Sequence, residues 1–146
     1  MALALRFHSP YLSAYSQDPL PLVLQSIGYA KQSVDLCLHH LSLEPLVAQA
    51  AAIRDLGIKV RWIIDLTASS GQVEKETEAL FARYRFEKGR DWRSFRGGTT
   101  VMHQKYVVVD NRRVFAGTMS FTPEGFYLQD NVDLFVDSPK VAAAFT

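Results

Sequence analysis

Residues 34 to 65 hold two short apolar runs joined through an amphipathic helix, and no other stretch restricts the fold so strongly. Val34 to Leu41 reads as a strand. Glu44 to Leu56 repeats Leu46, Val47, Ala50, Ile53 and Leu56 at helical spacing, with Gly57 placed as its C-cap, and Lys59 to Asp65 reads as a second strand. Two strands connected through a helix pair in parallel by a right-handed crossover, which commits the chain to an α/β architecture. The flanks agree. Asp18 and Pro19 open a helix running through Leu22, Val23, Ile27 and Ala30, and Gln72 to Arg85 is a helix whose Val73, Leu80, Phe81 and Tyr84 face inward. The last third is richer in strands: Val101 to Val109 and Val114 to Met119 surround the polar turn Asp110-Asn-Arg-Arg113, and Asn131 to Val136 is a third. Ser138-Pro139 begins a final helix that is unfinished at Thr146, as expected of a domain taken from something longer. The expected whole is a mixed β-sheet flanked by helices on both faces.

With 146 residues, 48% of them hydrophobic, the chain matches one domain over residues 1–146 that folds on packing alone. Cys37, the single cysteine, excludes an internal disulfide, and no Cys/His spacing resembles a zinc site, so neither metal nor cofactor is expected. A formal charge of +1 does not by itself advertise a polyanionic partner. No apolar run approaches the ~20 residues that span a bilayer, and the start Met1-Ala-Leu-Ala-Leu lacks a basic leader, so a cytoplasmic protein without a membrane partner is expected.

Chemistry concentrates around the predicted hairpin. His103 and Lys105 lie two apart at the head of the apolar run Tyr106-Val-Val-Val109, so on a strand they share a face. A reversal about Asn111 and Arg112 sets Lys105 opposite Thr118 and His103 opposite Ser120. One face would then present an imidazole, a fixed cation and two hydroxyls. That set suits phosphoryl transfer: the cation offsets charge on the phosphoryl oxygens, the hydroxyls donate to them, and a neutral imidazole attacks phosphorus or moves a proton.

His103-x-Lys105, four residues, Asp110, six residues, then Gly117-Thr118-x-Ser120 resembles the HKD signature of the phospholipase D superfamily. Composition gives this combination by chance in roughly one chain in 10⁴ of this length. Gln129-Asp-Asn-Val-Asp-Leu-Phe135 occupies the place of the family's acidic strand, and the upstream crossover resembles the small one-motif members. The resemblance implies His103 as the nucleophile forming a phosphohistidine, Lys105 and Thr118 as phosphate ligands with Ser120 beside them, and Asp130 as the acidic group that orients the histidine. Relatives with two motifs use a second histidine as the acid. One motif per chain therefore implies a homodimer that brings two copies of His103 together. Ser120 departs from the family's usual asparagine, with one donor instead of two.

The remaining candidates divide by simple physics. Asp110 has the wrong strand parity to join His103, and it begins a turn, so it is structural; Gly117 marks a close backbone approach. His39 and His40 end a strand without further metal ligands and read as structural. Between Arg83 and Arg96, basic and aromatic residues alternate, and Arg90, Trp92, Arg93 and Arg96 are the candidates for tracking and stacking on a nucleic acid. The expected function is a metal-independent endonuclease acting on DNA or RNA. Its alternatives are a phospholipase or phosphatidyl transferase and a catalytically weak nucleic-acid-binding or dimerisation domain.

Overall fold

The computed structural model describes residues 1–11, 18–67 and 71–146. Seven strands form one mixed sheet in the order β1-β7-β6-β5-β2-β3-β4. In chain order the elements are β1 (Ala2–His8), α1 (Leu20–Gly28), β2 (Ser33–Leu38), α2 (Glu44–Asp55), β3 (Lys59–Asp65), α3 (Gly71–Arg83), β4 (Trp92–Phe95), β5 (Lys105–Val109), β6 (Arg113–Gly117), α4 (Pro123–Tyr127), β7 (Asn131–Asp137) and α5 (Pro139–Ala142). The expected crossover is present: β2 and β3 pair in parallel through α2, and α3 then carries the chain to a second parallel pair, β3 with β4. The other four pairings are antiparallel.

Helix ends follow local chemistry. The Asp18 carboxylate accepts the Leu20 N–H at 2.9 Å, and the Ser138 hydroxyl accepts the Val141 N–H at 3.4 Å, each satisfying a donor that a helix start leaves open. Gly57 takes the left-handed conformation that closes α2 (φ 89°). Leu56, expected on the inner face, is 81% exposed because the helix ends one residue earlier.

One face of the sheet packs under α1, α2 and α3. Leu36, Leu38, Trp62, Ile64, Val107 and Phe115 meet Val23, Ile27, Leu46, Val47, Leu80 and Phe81 in one continuous core. The other face is covered unequally. Val108, Val114 and Val136 pack against Ala142 of α5, while Leu3, Leu5 and Phe7 of β1 and Val132 and Leu134 of β7 stay open to solvent, Leu5 at 67% exposure.

Two strands went unpredicted, β1 and β4, and the second corrects a functional expectation. Trp92 is 4% exposed, its ring 4.9 Å from Phe81, so it is core and unavailable for stacking on a base. The cations around it are largely paired: Arg90 with Glu87 and Asp91, Arg96 with Glu74, Lys88 with Glu78 and Arg83 with Glu44. Exposed Arg93 sits level with Ile63, on the face opposite Trp92. Within β4 the Trp-Arg alternation is the inside-outside alternation of an edge strand, which removes Trp92 from the candidates and leaves Arg90, Arg93 and Arg96 exposed at the surface.

Candidate active site

The hairpin of β5 and β6 forms in the expected place with a different register. Tyr106 pairs with Ala116 and Val109 with Arg113. Carried one step further, that register sets Lys105 level with Gly117 and not with Thr118. The cause is the turn. Asp110 and Asn111 both take positive φ (56° and 50°), the Arg112 N–H closes onto the Val109 carbonyl at 3.1 Å, and Arg112 is left as an extra residue. Thr118 and Ser120 lie beyond the end of β6, so strand parity does not place them.

His103 sits on the stretch leading into β5, which three contacts hold without a ladder. The Asp65 carboxylate, buried at the end of β3, accepts the Met102 N–H at 2.6 Å and the Thr67 N–H at 2.7 Å. The Cys37 thiol reaches the Met102 sulfur at 3.4 Å, and the His39 N–H donates to the Gln104 carbonyl at 2.8 Å. Burial alone raises the Asp65 carboxyl, but the bonds from Thr67 and Met102 outweigh it and hold the group below the usual range, as the anion these donors require. Sequence reasoning passed over Asp65. A carboxylate at the carboxyl end of a parallel strand, where α/β sites form, was the available signal.

Lys105 begins β5 and is buried, which pulls its ammonium below its usual range. Its Nζ lies 3.0 Å from His103 Nε2 and 3.3 Å from the His103 carbonyl oxygen. An ammonium has no lone pair, so Lys105 donates and Nε2 accepts, which fixes the imidazole lone pair on Nε2. The His103 side chain is exposed. The ring of His39 stands edge-on to it, centroids 4.5 Å apart, and stacks on His40 at 4.0 Å.

The other expected members make no hydrogen bond to His103 or Lys105. The Thr118 hydroxyl donates to Asn131 Oδ1 at 3.0 Å and accepts the Val132 N–H at 3.0 Å, so its proton is committed to the start of β7. Ser120 lines a polar cleft of about 400 Å³ with His40, Ser42, Glu76, Thr122, Glu124 and Gln129. Asp130 is exposed and makes no hydrogen bond to His103. Asp110 behaves as structural: its Oδ1 accepts the N–H groups of Lys31, Gln32 and Ser33 at 2.9, 2.7 and 3.2 Å, tying the turn to the start of β2. Gly117 is a close approach, since a Cβ there would overlap the Asp133 carboxylate and lie 2.6 Å from the Val132 carbonyl oxygen. Among the described residues no three His, Cys, Asp or Glu side chains form a metal-binding group, and no helix is long and apolar enough to cross a membrane.

An exposed imidazole and a buried ammonium in contact at the open end of a hairpin form a pair whose chemistry suits a phosphate group. Comparisons with known proteins point the same way. No curated protein matches the chain. Among solved structures it is similar to the phospholipase D family member Nuc from Salmonella typhimurium, at 22% identity and a TM-score of 0.79 over 99% of this chain and 88% of that one. NucT from Helicobacter pylori follows at 17% identity and a TM-score of 0.72, over 99% and 91% of the two chains. Phosphatidylserine synthase from Haemophilus influenzae has 13% identity and a TM-score of 0.77, over 98% of this chain and 37% of that one. These likenesses establish the fold. The family model described as cardiolipin synthase, PLD-like domain, matches residues 23–146. The chain therefore belongs to the phospholipase D-like domain family, whose chemistry is that of phosphodiesters.

Proposed function

We propose that this protein is a metal-independent phosphodiesterase that cleaves nucleic acid through a phosphohistidine on His103. The observation that carries the reading is the 3.0 Å contact between Lys105 Nζ and His103 Nε2, which supplies a nucleophilic lone pair and a phosphate-binding cation in one exposed place. In the first step Nε2 attacks phosphorus, the bond from phosphorus to the leaving oxygen breaks, and that oxygen takes a proton. In the second step water loses a proton and attacks phosphorus, the P–N bond breaks, and His103 is regenerated. Lys105 shifts from Nε2 to the phosphoryl oxygens as charge builds on them.

The acid must stand opposite the nucleophile across phosphorus. His39 touches His103 on the ring edge and leaves no room for a phosphoryl group between them, so it does not fill that place. A second copy of His103 in a homodimer does. Substrate class follows from the surroundings: His103 is exposed, suiting an extended polymer. The apolar cavity of about 210 Å³ lined by Leu3, Val23, Val107, Val109 and Phe115 lies toward the far end of β5 from Lys105, so this cavity does not offer acyl chains a place at the reacting atom.

The test is cleavage of labelled single- and double-stranded DNA and RNA, beside phospholipid vesicles, in excess EDTA with wild type and His103→Ala. Nucleic-acid cleavage that survives EDTA and vanishes in the variant is the expected result. Vesicle hydrolysis alone would reassign the substrate, and polymer binding without turnover by either protein would leave a binding domain.

A further inference from the structure

His39 stands where the nucleophile needs support. Its backbone is fixed, because the pairing of β2 with β5 runs one step past Leu38 and Lys105 through the His39 N–H and the Gln104 carbonyl at 2.8 Å. Its ring is held from behind by His40, stacked at 4.0 Å with 22° between planes, and presents itself to His103 at 4.5 Å and 64°. His103 has little else to hold it. It is exposed, it precedes the ladder, and its side chain bonds to Lys105 and to no carboxylate among the described residues. An unsupported imidazole on such a stretch samples several rotamers, and only one aims Nε2 at Lys105 and the incoming phosphorus.

We propose that His39, backed by His40, is the positioning residue for His103, holding the nucleophilic ring in the orientation that attacks phosphorus. The role is the one expected above of Asp130, which stands exposed and makes no bond to His103. The inference rests on the phosphodiesterase reading.

Contact distance separates positioning from proton transfer, since a phosphoryl group does not fit between rings 4.5 Å apart. Charge agrees. Burial, then the nearby His40, His103 and Lys105, push His39 down to about 4, against a smaller opposing effect of Asp65, so at neutral pH the ring is uncharged. A neutral ring adds no repulsion beside the Lys105 ammonium and leaves that cation free to engage substrate. What His39 supplies is a fixed ring packed at a steep angle against His103, and another aromatic ring of similar size supplies it as well.

The experiment compares wild type, His39→Ala, His39→Phe and His103→Ala, using bis(p-nitrophenyl) phosphate for kcat and KM and ring-¹⁵N NMR for the His103 tautomer. The wild type is expected to show His103 with Nε2 unprotonated. His39→Ala is expected to lower kcat by about 10- to 100-fold with KM within about 2-fold, the scale of a misaimed reacting group, and to mix the two His103 tautomers. His39→Phe, which preserves the packed ring, is expected to return kcat to within about 3-fold of wild type. Full kcat and an unchanged His103 spectrum in His39→Ala, with His103→Ala inert, would overturn the positioning role alone. So would a His39→Phe enzyme as slow as His39→Ala whose His103 spectrum matches wild type, because the ring nitrogens would then be acting chemically. Turnover that persists in His103→Ala would overturn the phosphodiesterase reading beneath it.

Discussion

Replacing Asp110 by alanine separates the structural role of this motif residue from a catalytic one. Its carboxylate accepts three backbone N–H groups, those of Lys31 and Gln32 at the surface and that of Ser33 partly buried. Water replaces the two surface bonds at a cost of about 0.5–1 kcal/mol each, and the Ser33 bond adds about 1–1.5 kcal/mol. Alanine at φ 56° adds about 1 kcal/mol, because Asp tolerates the left-handed region and alanine does not. The loss is about 3–4.5 kcal/mol, which lowers Tm by about 6–18 °C in a domain of this size. Asp110→Asn keeps an acceptor oxygen and the turn preference, so it should lose only about 1 kcal/mol. Acid reveals the charge. Burial raises the Asp110 carboxyl, but the bonds from Gln32, Lys31 and Ser33 and the Arg113 charge together hold it below its ordinary 3.8. A carboxyl depressed in the fold stabilises above its unfolded value and loses that contribution as pH falls through its folded value. The gap between wild type and Asp110→Asn should therefore close below about pH 4. Urea unfolding at pH 7 and through the acid range measures both effects, and initial rates at 15 °C report on the folded enzyme. A loss under 1 kcal/mol, or a fully folded but inert Asp110→Ala, would refute the reasoning.

Gly117→Ala should destabilise by about 1–3 kcal/mol through overpacking against Asp133 and Val132, measurable in the same urea assay. Burial pushes the Asp133 carboxyl up to about 6, offset only in part by the Met119 N–H, His8 and the Thr118 N–H. An acid raised in the fold stabilises while protonated, so wild-type Tm relative to Asp133→Asn should fall as pH rises from about 3.8 to about 6 and then level off. Trp92→Ala should cost about 3–5 kcal/mol of stability as a core truncation, with any loss of nucleic-acid binding in gel shifts tracking the unfolded fraction.

What could be read from sequence depended on how far each pattern is local. The crossover over residues 34–65 was legible because a helical period lies between a buried strand and an alternating one, and each element is long enough to show its period. The hairpin was legible from the turn, but its register was not: Asp110 and Asn111 announce a reversal without saying that Arg112 is left over. β1 escaped because its inward Arg6 and His8 are polar, while its large apolar residues Leu3, Leu5 and Phe7 face outward. β4 has only four residues, and its Trp-Arg alternation carries the same letters as a stacking surface. Within the site, His103 and Lys105 came from their spacing, whereas His39 and Asp65 act through contacts made 64 and 37 residues away in sequence, which no local pattern contains.

The open half of the second sheet face has a consequence for the molecule in concentrated solution. β1 is an edge strand, so its outer backbone donors and acceptors are unpaired by any neighbour in the sheet, and its side chains Leu3, Leu5 and Phe7 are apolar and exposed. Arg6, the one charge on that strand, lies among the residues facing the other way. An edge of this kind carries none of the usual guards, such as an outward lysine, a proline or a bulge, and it templates the addition of further strands. Self-association through β1 should therefore rise with concentration and be worst during refolding, when β1 and β7 are not yet joined. One outward charge at Leu5 would suppress it and leave the buried core untouched.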